Sequence, residues 1–271
     1  MNLNIRIAAR LSQVTGFLVL LVALVSIFSG EFYYLFIDET RVATYQAQDI
    51  LALLTVPFLY LVIHLSKRKS IPAFIIWISI NGFYLYIYSI YAFNGIYSEL
   101  FLFYIAIISL SFYTFIRLLG PLDVHALSNH FSKNAPRKIV SLYLILIATL
   151  QAIAWIAIIL QHINYSDPAP ANAIFVLDLA ILLPLFVLSA FWLWRSHTKG
   201  FLAAPSLLVF NSIYGLAFIT GEFLKYYRNL EYSSLSIYIF IIFTFIAIVL
   251  SIIFLTSSKN TFKKPGKKKK K

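Results

Sequence analysis

The chain has 271 residues and no cysteine, and only 12% of its residues are charged. The missing cysteines exclude disulfides, thiolate nucleophiles, cysteine-ligated zinc and iron–sulfur clusters. The shortage of charge excludes an ordinary soluble domain, which carries about 25% charged residues. Acidic residues are scarcest, ten against 22 basic ones. Gly-rich phosphate loops, a Gly-x-Ser-x-Gly elbow and a His-Glu-x-x-His pair are also lacking. His64 and His162 have no partner at ligand spacing, so zinc or haem has little support. No cofactor can be assigned from these residues.

What is present is apolar surface. Hydrophobic residues make up 61% of the chain and aromatics 17%, which excludes a disordered polypeptide. A bilayer-spanning helix needs about 20 apolar residues, and the long apolar runs supply eight. They are Leu11–Ser29, Gln48–Leu65, Ile71–Phe93, Leu100–Leu119, Ile139–Ile163, Ala171–Trp194, Phe201–Thr220 and Leu235–Thr256. β-barrel spans are shorter and alternate in polarity, about 9–11 residues each. The expected fold is therefore an all-α integral membrane protein with eight transmembrane helices. Residues 1–257 form one bundle, and 258–271 a disordered, Lys-rich cytoplasmic tail.

Charge orients the chain. With both termini inside, 19 of the 22 basic residues face the cytoplasm, leaving Arg41, Lys225 and Arg228 outside. Cytoplasmic loops retain Lys and Arg, so an N-in, C-in multi-pass protein of the cell inner membrane is expected. A cleaved signal peptide competes for the first span, but its apolar run is long for that role and no A-x-A site follows. Eight basic residues crowd into the last 13 positions, which argues against nucleic acid as the partner of the positive charge. The tail reads as a solvated topology signal or as a contact for anionic lipid. Residues 31–37 read as a short interfacial helix.

Two segments look duplicated. Lys69, Asn81 and Tyr84 in the third span match Lys199, Asn211 and Tyr214 in the seventh, at the same offsets of 12 and 15 residues. Asp49 lies 32 residues before Asn81, and Asp178 lies 33 before Asn211. This predicts two four-helix parallel repeats, 1–119 and 136–257, related by an axis along the membrane normal. Such an axis would gather Asp49, Asp178, Asn81 and Asn211 into one outward-opening polar cleft.

Asp178 stands out among these residues. A carboxylate within a span costs about 2.5–3.5 kcal/mol on insertion scales and by default marks a functional site. It reads as a cation ligand, proton acceptor or solute anchor, or as a structural hydrogen-bond partner of Asn211, Tyr214 or another helix. Asp49 reads either as part of the same site or as a cap at the start of its helix. Glu222 joins the candidates, although Lys225 three residues on offers it an ordinary ion pair. Tyr84, Tyr88 and Tyr91 share a helical face and read as interfacial anchors or as an aromatic wall for a cation. Gln151 is a mid-membrane helix bridge.

Tyr45-Gln46-Ala47-Gln48-Asp49, with Asp178 leading through Pro184 to Trp192-Leu193-Trp194-Arg195, resembles an uncharacterised group of bacterial multi-span membrane proteins. Their first motif reads Tyr-Gln-Gly-Gln-Asp, and here Ala47 replaces the glycine. The resemblance implies an integral membrane protein and no activity.

The function expected from the residues is a small-solute or ion transporter of permease type. Its solute or cation would be bound by Asp178, Asp49, Asn81, Asn211, Tyr84, Tyr214 and Glu222. A non-transporting assembly or sensor subunit is the second reading, and a membrane-embedded lipid enzyme the third. The bilayer is the obligatory partner in all three.

Overall fold

A computed structural model describes residues 4–29, 38–120, 128–131, 135–164 and 173–258. The expected interfacial helix at 31–37 and the tail at 259–271 lie outside the described residues. Eight helices follow one another: α1 (Asn4–Phe28), α2 (Glu39–Lys67), α3 (Ile71–Phe93), α4 (Phe101–Leu119), α5 (Arg137–Asn164), α6 (Ala173–Trp194), α7 (Gly200–Tyr227) and α8 (Ser234–Thr256). All eight are long and apolar enough to cross a membrane. No strand occurs among the described residues.

The apolar runs locate the helices but understate their length. α2 begins at Glu39, well before the expected Gln48, because Asp38 caps it by accepting from the Arg41 N–H at 3.0 Å. α7 continues to Tyr227, past the expected Thr220. Hydropathy falls where the apolar slab ends, whereas backbone hydrogen bonding continues until a cap or a left-handed residue stops it. Lys69, Ser196 and Asn229 are those left-handed residues, with φ of 71°, 58° and 57°, closing α2, α6 and α7.

α3 is the hub. Of its most apolar stretch 83% is buried, against 61% for α7 and 17% for α5. Its polar side chains reach five neighbours, because a polar group in hydrocarbon needs an internal partner. The Trp77 indole donates to Ser12 of α1 at 2.8 Å. Tyr84 pairs with Thr55 of α2 at 3.0 Å, and Asn81 donates to the Ser111 carbonyl of α4 at 2.9 Å. Ser79 donates to the Ser206 carbonyl of α7 at 2.8 Å. Tyr86 reaches α6.

The two halves pack differently. α1 to α4 form a closed ring, with α1 lying along both α2 and α4. Tyr88, Tyr91 and Tyr104 fill its far end, their ring centroids 5.4–5.7 Å apart. In the second half α5 packs on α6, α6 on α7 and α7 on α8, but α5 stands off from α8. The gap is bridged by Tyr143 of α5, whose hydroxyl donates to the Phe243 carbonyl of α8 at 2.9 Å. The halves join chiefly through α2 with α7 and α3 with α7.

One hairpin and one helix pair depend on glycine. A Cβ on Gly200 would lie 2.4 Å from the Leu193 backbone nitrogen, so the α6–α7 turn closes only with glycine there. A Cβ on Gly215 would lie 2.1 Å from the Thr244 hydroxyl, which sets the close approach of α7 and α8.

Candidate functional site

Asp178 opens a wide turn in α6. Residues Asp178–Leu182 are π-helical, and the Leu183 N–H bonds to the Asp178 carbonyl. Pro184 follows, which lacks an N–H and whose ring would crowd the carbonyl four residues back in a regular helix. The wide turn relieves that crowding, and π-turns occur frequently at functional sites. The Asp178 carboxylate is buried at 3% exposure. The Tyr86 hydroxyl of α3 donates to its Oδ1 at 2.5 Å, and the Trp155 indole of α5 to its Oδ2 at 2.7 Å.

Asp178 also forms part of the wall of a cavity of about 310 Å³ at the centre of the second half. This is the space left where α5 stands off from α8. Asn211 and Tyr214 of α7 line it, with Gln151 of α5 and Ser236 and Thr244 of α8. The rest of the lining is apolar or aromatic. Asn211 donates to the Tyr143 hydroxyl at 2.8 Å.

The candidates named from the sequence thus separate. Asp178, Asn211 and Tyr214 share the cavity, and the other four are engaged elsewhere. Asp49 lies fully buried between α1, α2 and α3, eleven residues past the Asp38 cap, so it does not cap its helix. Ser26 of α1 donates to its Oδ2. The Tyr91 hydroxyl lies 3.0 Å from the Tyr45 carbonyl and 3.4 Å from Asp49 Oδ1. Asn81 and Tyr84 are spent on the α4 and α2 contacts of the hub. Glu222 pairs with Lys225 at 2.6 Å and accepts from the Ser233 N–H at 3.0 Å, fastening α7 to the start of α8. Tyr84, Tyr88 and Tyr91 are fully buried core residues, not interfacial anchors, because their face of α3 packs against α2 and α4.

Set against known proteins, the chain matches no family model, no curated protein and no solved structure. The reading of the site therefore rests on its geometry.

Sequence reasoning passed over Tyr86 and Trp155, the two donors to Asp178. Trp155 carried a usable signal, since a buried indole N–H normally finds an acceptor. Tyr86 lies on a different face of α3 from Tyr84, Tyr88 and Tyr91, so periodicity alone separated it from them. The aromatic lining from α8 gave no polar signal at all.

A second volume, about 750 Å³, runs along the flank between α3, α4, α6 and α7. It is almost wholly apolar, with Ser79, Ser89, Ser206 and the ring of Tyr86 in its wall and Lys199 at one end. Phe93, Phe112 and Ile181 on its rim are exposed. Leu182 and Phe210 line both volumes, so this pair and the Tyr86–Asp178 hydrogen bond form the partition between them.

Proposed function

We propose that this protein is a permease-type transporter of a small solute or ion, with its binding site in the cavity beside Asp178. The single observation that carries the reading is that cavity: a carboxylate, two carboxamides and a tyrosine converge on an open volume within a membrane-spanning bundle. Intramembrane ionisable groups mark ion and solute pathways by default, and about 300–1,000 Å³ is the usual range for ligand pockets. In this reading the expected cleft of Asp49, Asp178, Asn81 and Asn211 gives way to a smaller site of Asp178, Asn211, Tyr214 and Gln151.

The proposed internal duplication supports the reading. Asn81 reaches the backbone of the fourth helix directly at Ser111, and Asn211 reaches the eighth at Phe243 through the Tyr143 hydroxyl. Each aspartate is held by a donor from the helix before it, Ser26 for Asp49 and Trp155 for Asp178; the tyrosine partners, Tyr91 and Tyr86, both come from α3 and stand outside that correspondence. One unit is filled and the other hollow, so the duplicated scaffold has one copy free for binding. The distribution of basic residues supports an orientation with both termini on the cytoplasmic side.

Charge movement on solid-supported membranes tests the proposal. Proteoliposomes receive concentration jumps of protons, sodium and organic cations. The parent protein gives a saturable current for at least one of them, and Asp178→Asn, eluting as the parent does in size exclusion, loses it. Equal currents in both remove Asp178 from the pathway. Absence of current with all three cations overturns transport in favour of a non-transporting assembly subunit, a role consistent with the full hydrogen bonding of both aspartates.

A further inference from the structure

We infer that the cavity beside Asp178 takes an organic ammonium compound with an aromatic or branched apolar body. The inference rests on the reading of this cavity as the solute site and names the class of solute.

The argument comes from the lining. Five aromatic residues, Phe186, Phe210, Tyr214, Phe240 and Phe243, face the same volume as the Asp178 carboxylate. Tyr214 stacks on Phe210 with centroids 6.1 Å apart and the planes within 6°, and Tyr86 meets both rings edge-on at 5.4 and 5.5 Å. Phe240 is held in place by Phe218, at 3.7 Å. Aromatic faces attract cations through the ring quadrupole, most strongly when the cation is desolvated. A carboxylate beside such faces adds the balancing charge.

The same lining disfavours the other classes. No lysine, arginine or histidine lines the cavity among the described residues, so an anion would meet Asp178 with nothing to compensate it. A sugar or other polyol would leave most of its hydroxyls against phenylalanine, leucine and isoleucine, at a cost for every unpaired group. Calcium takes six to eight oxygen ligands and magnesium a near-ideal octahedron. Here both carboxylate oxygens already hold donors, and no group of three acidic or histidine side chains clusters among the described residues. An ammonium group bearing carbon substituents needs fewer oxygen ligands. Asn211 and Gln151 add polar contacts on one side, and the apolar majority of the wall receives the body of the molecule.

Equilibrium dialysis tests the class directly. Tritiated 2-phenylethylamine is dialysed against nanodiscs carrying the full chain, with empty nanodiscs subtracting partition into lipid. Saturable binding near one molecule per chain is expected. Phenethyltrimethylammonium should compete, because its charge and methyl groups suit the aromatic faces without donating a hydrogen bond. The alcohol 2-phenylethanol, of the same shape but uncharged, should compete about tenfold more weakly or worse, and phenylacetate weaker still. Asp178→Asn should abolish binding. Phe240→Leu, a change within the apolar wall, should weaken the quaternary competitor severalfold and the alcohol little, and it keeps the test open if the aspartate variant misfolds.

Equal competition by the alcohol overturns the inference, since it would report only apolar partition. So does the absence of saturable binding above empty nanodiscs. Saturable amine binding without any transport current upholds the ligand class and removes the transporter reading. Proton or sodium currents without amine binding do the reverse.

Discussion

Asp49 and Asp178 show how little the residue type decides by itself. Both stand within a membrane-spanning helix and both are hydrogen-bonded to neighbouring helices. Asp49 is sealed at 0% exposure beneath the tyrosine stack, whereas Asp178 borders open volume. Asp49 is thus a structural tie between α1, α2 and α3. Replacing it with leucine leaves Ser26 without its acceptor, and an unsatisfied buried polar group costs about 1–3 kcal/mol. Asp49→Leu should therefore lower the thermal unfolding midpoint in detergent, and Asp49→Asn, which keeps an acceptor oxygen, should lower it less. A leucine variant as stable as the parent would remove Asp49 from the structural ties. The sequence singled out both aspartates through their cost in hydrocarbon. Their different fates were not legible, because they depend on the donors Ser26, Tyr91, Tyr86 and Trp155, which are far away in sequence.

At the scale of the helix, composition was informative about position and silent about contact. Each long apolar run is a helix, since a chain in lipid must satisfy its backbone internally. The run does not say which face meets protein and which meets lipid, because both are apolar. That is why the tyrosines of α3 could be read as interfacial anchors on a helix that proves to be the most buried of the eight. Pro184 was visible as an interruption, but the π-turn before it was not. The α7–α8 pair offers a test of packing. Gly215 and Thr244 both line the cavity and touch so closely that an added methyl has no room. Overpacking of this kind costs about 1–3 kcal/mol. Gly215→Ala should destabilise the protein by that order in a thermal melt, and Thr244→Ala in the same chain should recover part of the loss. If the double variant melts no higher than Gly215→Ala alone, the contact is not what limits the approach of the helices.

For the whole molecule, eight helices long and apolar enough to cross a membrane were readable, and the different packing of the two halves was not. The matching lysines, asparagines and tyrosines are the basis of the proposed repeat, while the closed ring of the first half and the open edge of the second come from apolar side chains that match nothing. The N-in, C-in arrangement has its own measurement. The chain lacks cysteine, so single cysteines can be introduced without background. A cysteine at Tyr97 or Asn229 should react with an impermeant maleimide in intact cells, and one at Ser196 only after the membrane is opened. The opposite pattern would invert the topology.

The stand-off of α5 reaches beyond the protein. This helix supplies one wall of the cavity, yet only 17% of its most apolar stretch is covered by the rest of the chain. In a bilayer the uncovered apolar face of α5 would meet hydrocarbon tails, so the lipid would complete the wall from outside. A bilayer of mismatched thickness would be met by a change of helix tilt, and a tilt of α5 would alter the cavity wall it supplies. The cavity size should therefore differ between bilayers of different thickness, so that the lipid would become a variable of the site as much as any side chain.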